Sequence, residues 1–383
     1  MSGESGFGLD PLLDDPATRI LVCCGSGGVG KTTTAAAIGL RAAERGRRVT
    51  VLTIDPARRL AQSMGLTRLD NNPRRVESID AVAGGELHAM MLDMKTTFDE
   101  VVLSHTDPQR AQQILDNSFY QALSSNFAGT QEYMAMEKLG QLHASQDWDL
   151  IVVDTPPSRS ALDFLDAPKR LGSFLDGRFI RILTAPVKSG GRFYTRVLSA
   201  GLGVFTNVLH KILGADMLRD AQTVVAALES MFGGFRERAE ATYQLLQAPG
   251  TAFVVVATPE PDALREAAYF VERLAAERMP LAGLVLNRVH ATGVSELSAE
   301  RALAAAEMLA EADPKGTEGE SRLTQAVLRL HAERARLVQR ERRLLARFVS
   351  AHPDVEVAEV SAFAVDVHDL DGLRRVGDQL GPV

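Results

Sequence analysis

The sequence predicts an α/β fold: a doubly wound, mostly parallel sheet with an inserted helical subdomain. Three observations carry this expectation. Short apolar runs at 20–24, 150–153 and 251–257 read as strands buried on both faces, as parallel strands are. The runs at 49–54 and 150–153 each lead into a carboxylate, Asp55 and Asp154, and doubly wound sheets bind ligands at strand C-termini. The first run passes straight into a glycine-rich turn and then an Ala-rich stretch that favours helix.

Taken in order, residues 1–18 read as a loose acidic tail and 19–383 as one domain. Residues 20–24 form the first strand, 32–44 a helix that Gly46 stops, and 49–55 the second strand. Pro56 follows, then a helical stretch over 57–65 and a further strand at 87–93. From 94 to 143 the pattern is helical with few breakers. Strand 149–154 precedes Thr155-Pro156-Pro157-Ser158. A second helical part covers 161–248, so the helical subdomain spans about 94–143 and 161–248. Strands at 251–257, 281–287 and 355–362 alternate with helices at 261–276, 304–312, 322–348 and 369–380.

Within the first glycine turn stands Cys24-Gly25-Ser26-Gly27-Gly28-Val29-Gly30-Lys31-Thr32-Thr33, which fits G-x-x-x-x-G-K-[ST], the phosphate-binding P-loop. Glycines let successive backbone N–H groups turn toward one phosphate chain. Lys31 adds a mobile positive charge, the Thr32 hydroxyl suits Mg²⁺, and a helix N-terminus favours anions. Gly27, Gly28, Val29, Gly30, Lys31, Thr32 and Thr33 are therefore the nucleotide-binding residues this motif predicts. Asp154 has the position of a carboxylate that holds Mg²⁺ through water, and Asp55 that of a group orienting water near the γ-phosphate. Each also reads as a plain turn or cap residue.

Composition limits the rest. The 383 residues are 45% hydrophobic and 24% charged, an ordinary globular usage, and the formal net charge is -7, which gives no footprint for nucleic acid. Cys23 and Cys24 are the two cysteines. Adjacent on a strand, they point to opposite faces, so they do not pair, and they supply no structural zinc site. Neither a secretory signal nor a membrane-spanning run is evident, which reads as a cytoplasmic protein. Residues 169–211 hold eight Lys/Arg against one acid, with Phe and Tyr interleaved. That segment reads as a solvated basic face or as a contact for a partner or an anionic membrane surface.

Gly27-Gly28-Val29-Gly30-Lys31-Thr32-Thr33, Asp55-Pro56-Ala57, Asp154-Thr155, Pro259-Glu260 and Leu286-Asn287 occur in one order. The chain resembles the ArsA-type ATPases, the family of the arsenite-pump ATPase and of the ATPase that targets tail-anchored membrane proteins. The resemblance covers about 19–380 and fades over 165–245. It implies ATP and Mg²⁺ as ligands, with hydrolysis of ATP. It implies that Asp55 and Lys31 are catalytic, Asp55 activating water, and that Asp154 opens a second switch. It further implies that Glu260 and Asn287 lie on the nucleotide side, Asn287 and the 360–365 stretch near the adenine. The family works as dimers, in which ATP reshapes helical subdomains that hold cargo.

The departures set further expectations. Family members carry a second lysine after the first glycine of the loop, which reaches the partner subunit's phosphates; here Ser26 stands in its place. This implies a heterodimer with a related, lysine-bearing ATPase, with a homodimer also open, or slow turnover. No Cys occurs over 288–350, so neither a C-x-x-C zinc clasp nor arsenite transport is expected. Ser158-Arg159-Ser160 replaces the family's T-G-H in the second switch. Three other readings stand beside the ATPase switch coupled to a protein client or membrane: a weakly active regulatory subunit, a MinD/ParA-like membrane-positioning ATPase, and a small-molecule kinase.

Overall fold

The structure, a computed structural model, describes residues 8–54, 59–118, 120, 121, 124, 131–156, 234, 237–312 and 319–381. The chain divides into two compact units. One comprises Met1–Met91, Asp147–Ala161 and Leu246–Val383, the other Leu92–Gln146 and Leu162–Leu245.

The first unit is built on an eight-stranded sheet. Its strands are β1 (Ile20–Gly25), β2 (Arg48–Thr53), β3 (Arg74–Arg75), β4 (Glu86–Met91), β5 (Leu150–Asp154), β6 (Thr251–Ala257), β7 (Leu281–Val289) and β8 (Val357–Ser361). The order is β3-β4-β2-β5-β1-β6-β7-β8, and every pair is parallel except the short β3–β4 edge. The fold is the doubly wound α/β sheet that the sequence predicts. All residues of β1, β5 and β6 are buried, because helices cover both faces of a central parallel strand.

Strand order does what local sequence cannot. β5 lies between β1 and β2, and the register sets Asp154 beside Cys23 on one side and Thr53 on the other. The last residue of β5 is thereby fixed next to the end of β2 and the loop after β1.

Residues 8–18 are not a loose tail. The short helix α1 (Asp10–Asp14) packs on α2 (Lys31–Glu44), with Leu9 and Leu13 wholly buried in the main core. The Leu9 N–H donates to the Leu380 carbonyl at 2.8 Å. The acids that suggest a solvated tail are engaged: Arg41 donates to both Asp10 carboxylate oxygens at 2.5 and 2.8 Å, and Arg45 pairs with Asp14. Buried Arg47 donates to the carbonyls of Leu13, Thr18 and Asp149. A Leu9/Leu12/Leu13 spacing, one face of a helical turn, is the local cause.

After β2 comes α3 (Arg59–Ser63). In the second unit the predicted 94–143 helix is divided into α4 (Met94–His105), α5 (Pro108–Leu115) and α6 (Gln131–Ser145). The first break has a plain cause. Pro108 sits at the start of α5, where its missing N–H costs nothing, and Asp107 caps it by accepting from the Arg110 N–H at 3.0 Å. Buried Glu137 of α6 accepts two bonds of 3.0 Å from Arg238 Nε. Of the second helical stretch, 161–233 lies outside the described residues, while 237–245 is helical.

The first unit closes with α7 (Pro261–Ala276), α8 (Ala299–Ala312), α9 (Gly319–Ala351) and α10 (Leu370–Gln379). α8 and α9 pair through a small core of their own, built on Ala299, Ala302 and Ala332.

Candidate active site

The loop after β1 is shaped by close approach. Gly25 has φ +152°, and a Cβ there would lie 2.1 Å from the Val256 carbonyl oxygen of β6. Gly30, just before α2, is left-handed at φ +98°, and a Cβ on it would lie 2.2 Å from Asn287 Nδ2. That amide donates to the Val29 carbonyl at 2.8 Å, tying the end of β7 to the loop. Lys31 Nζ donates to the Ser26 carbonyl at 2.8 Å, so the lysine folds back along the loop it follows.

At the end of β5, Asp154 is wholly buried. Its Oδ2 accepts from Thr32 Oγ1 and from Thr53 Oγ1, both at 2.8 Å. The Ile54 N–H donates to the Asp154 carbonyl at 3.0 Å, and Thr155 Oγ1 donates to the Cys23 carbonyl at 2.8 Å. The ends of β1, β2 and β5 are thus locked around one carboxylate. Asp55, the next residue but one after Thr53, lies outside the described residues, as do Ser158, Arg159 and Ser160.

Burial holds both nearby thiols protonated. Cys24 is pushed up to about 12 by desolvation, against the pull of Lys31. Cys23 is raised well above its ordinary value, by desolvation first and then by the Asp154 charge.

A cavity of about 500 Å³ opens beside the loop. Gly30, Thr32 and Thr33 form one wall; Asn287, Arg288 and His290 come from the end of β7; Ser361, Ala362, Phe363 and Val365 come from the end of β8 and the loop after it. Of the predicted residues, the structure brings Gly30, Thr32, Thr33 and Asn287 to this cavity and sets Asp154 against Thr32. It does not bring Glu260 there. Glu260 precedes α7 and is exposed, without a side-chain bond that caps the helix.

A family model described as anion-transporting ATPase, ArsA ATPase, matches residues 18–309, well over half of the chain. The chain belongs to the ArsA-type ATPase family. Among its relatives is the ATPase get3 of Schizosaccharomyces pombe, 25% identical over 281 residues, which are 73% of this chain and 76% of that one. The ATPase ASNA1 homolog of Plasmodium yoelii yoelii is 25% identical over 286 residues, 73% of this chain and 65% of the other. A shorter match, protein Rv2184c of Mycobacterium tuberculosis, is 32% identical over 170 residues, 41% and 39% of the two chains.

This ArsA-type chain is an ATP-binding enzyme that hydrolyses ATP. Among the described residues no helix is long and apolar enough to cross a membrane, and no group of three or more His, Cys, Asp or Glu converges to hold a metal ion.

Two features escape a reading of the motifs. Thr53 is the residue by which β2 reaches Asp154; its place two residues before Asp55 is the only local sign. The other is the His290–Glu341 pair at the cavity rim. His290 Nδ1 and Glu341 Oε1 are 2.6 Å apart, and the His290 N–H donates to Oε2 at 2.9 Å. Buried Glu341 belongs to α9, so the pair ties the end of β7 to that long helix. The two residues are 51 apart in sequence, and no spacing rule links them.

Proposed function

We propose that this ATPase is a dimeric switch, in which ATP held by the P-loop controls contact with a protein client or an anionic membrane surface. One observation supports the catalytic reading best: two hydroxyls, Thr32 and Thr53, converge at 2.8 Å on the buried carboxylate of Asp154, beside the phosphate loop. Hydroxyl and carboxylate oxygens are the hard donors that Mg²⁺ takes, so the residues fit that ion. Thr32 would hold it directly and Asp154 through water. Bound there, Mg²⁺ offsets phosphate charge and orients the γ-phosphate.

The chain's own residues supply the rest. The backbone N–H groups from Gly27 to Thr33 would cradle the phosphates, with Lys31 leaving the Ser26 carbonyl to meet the β/γ oxygens. Asp55 would orient the attacking water and take its proton. Ile54, whose N–H is held on the Asp154 carbonyl, anchors the backbone next to it. Asn287 and the 360–365 stretch, with Phe363 at the cavity, would receive the adenine. Glu260 would act from the helix-start position after β6. A cytoplasmic setting fits two buried free thiols.

Ser26 leaves two readings of the charge that crosses the dimer. A related lysine-bearing subunit supplies it in a heterodimer, or nothing does, and a homodimer turns over slowly. We take the second. The basic, aromatic segment 169–211 is the sequence feature that supports a partner-facing role.

Phosphate release and sedimentation with a non-hydrolysable ATP analogue test this reading together. Lys31→Ala and Asp55→Asn should each lower turnover by a factor of at least about 100, the scale of a lost charge-stabilising group. The analogue with Mg²⁺ should drive the chain to dimers. Full turnover in Asp55→Asn removes the water-activating role. A chain that stays monomeric with the analogue removes the dimer.

A further inference from the structure

The end of β7 is irregular, and the irregularity serves the cavity. In a regular strand Asn287 points to one face, Arg288 and His290 to the other. Here Arg288 is left-handed at φ +62°, and the β7–β8 register shifts between Asn287 and Val289. Such a bulge re-aims the side chains around it. Asn287, Arg288 and His290 all line the one cavity. A non-glycine residue in this conformation is strained, and the strain persists only where the surroundings hold it.

Helix α9 does the holding. Arg334 Nε donates to the Ala291 carbonyl at 3.1 Å. Buried Glu341 meets His290 twice: Oε2 accepts the backbone N–H at 2.9 Å, and Oε1 lies 2.6 Å from Nδ1. A carboxylate accepts and does not donate, so Nδ1 carries the hydrogen of the neutral ring and Nε2 is a bare acceptor. The His290 side chain is 27% exposed, and no described residue bonds to Nε2. One imidazole is thus fixed in one tautomer on the cavity wall.

Asn287 is less free to choose a ligand. Its Nδ2 donates to the Val29 carbonyl, and its Oδ1 accepts from the Arg288 N–H at 2.9 Å. Phe363 lines the cavity from the loop after β8, with the Arg375 guanidinium carbon 5.2 Å from its ring centroid. An aromatic wall and a fixed acceptor suit the flat ring and the amino group of a purine.

We propose that His290 selects adenine by accepting a hydrogen bond from its exocyclic amino group, and that Glu341 is the positioning residue for that choice. This rests on the nucleotide reading above and names the group that selects the base. Guanine and hypoxanthine carry an acceptor oxygen where adenine carries the amino group, so Nε2 would face a second acceptor. A ribose hydroxyl is the other donor near the base, and the test separates the two.

Competition binding to the full chain with Mg²⁺ uses ATP, inosine triphosphate and 2′-deoxy-ATP. Wild type should bind ATP at least about tenfold tighter than inosine triphosphate, and 2′-deoxy-ATP within about threefold of ATP. In Glu341→Gln the side-chain oxygen must take the backbone N–H of His290, so the amide N–H faces Nδ1 and the ring hydrogen moves to Nε2. Its preference for ATP over inosine triphosphate should fall at least about fivefold, with weaker ATP and tighter inosine triphosphate. His290→Leu with Glu341→Met removes both polar groups and leaves no buried charge; it should bind the two nucleotides within about twofold of each other. A purely structural pair would weaken both nucleotides equally. That result, a wild type that binds ATP without discriminating, or variants that change the 2′-deoxy-ATP ratio in place of the inosine ratio overturns the proposal. A wild type that binds neither nucleotide removes the nucleotide reading itself.

Discussion

Thr53 donates from Oγ1 to Asp154 Oδ2 at 2.8 Å, and the same oxygen accepts from Thr32 at 2.8 Å. Thr53 is buried at the last position of β2 and Asp154 at the last position of β5. Thr53 is thus a positioning residue: it fixes the carboxylate that faces Thr32.

Thr53→Val keeps the shape and removes the donor. A hydrogen bond to a charged group is worth about 1.5–3 kcal/mol. The variant should weaken Mg²⁺-dependent ATP binding roughly 10- to 100-fold in calorimetry, while binding of ATP in EDTA changes little. Thr53→Ser should recover most of the loss. Equal weakening with and without Mg²⁺ would show that Thr53 only supports the fold.

Gly30→Ala should abolish tight ATP binding. The residue sits at φ +98°, where an L side chain costs about 1–2 kcal/mol, and the added carbon would collide with Asn287 Nδ2. Relief requires breaking the Asn287–Val29 bond that ties β7 to the loop. Titration with a fluorescent ATP analogue reads the loss, at least about tenfold. Unchanged affinity would mean the loop has another working conformation.

Leu13→Ala should lower stability by about 2–5 kcal/mol in chemical denaturation, the range for large-to-small changes in a core. Leu13 is wholly buried in the main core cluster, so its loss leaves a cavity. A loose tail predicts no change.

The two thiols give the fold an alkaline limit. An unfolded cysteine ionises near pH 8.5, whereas Cys24 in the fold is raised to about 12 and Cys23 is raised well above its ordinary value, both by burial first. A raised acid pKa means that the folded state holds its proton longer. The contribution is complete below about pH 8.5 and is lost as pH rises toward the folded values. The denaturation midpoint should fall above pH 8.5, and fall less in Cys23→Ala with Cys24→Ala. Neither native thiol should react with iodoacetamide at pH 8.

The glycine turn is legible because its cause is local: Gly25 and Gly30 meet close neighbours, and Lys31 and Thr32 follow at adjacent positions. The sheet was legible too, since fully buried strands are continuous apolar runs. What escaped depends on strand order or on distant pairing. Beyond its place two residues before Asp55, nothing near Thr53 announces Asp154, because the contact exists only once β5 inserts between β1 and β2. Glu341 is one charged residue in a helix rich in charges, and only the fold reveals that it is buried against His290. Residues 8–18 misled in the opposite way. Their acids suggested solvent, yet Asp10 and Asp14 are partners of Arg41 and Arg45, and Leu9 and Leu13 hold the segment down.

The account centres on a P-loop that binds and hydrolyses ATP without the second lysine of its family. Steady-state phosphate release by wild type and by Ser26→Lys, each as the dimer, tests that most directly. The wild type should turn over slowly, and Ser26→Lys should be at least about tenfold faster, since one added charge in a water-excluded site is worth about 1.4 kcal/mol or more in the transition state. Rapid hydrolysis by wild type that Ser26→Lys leaves unchanged would contradict it.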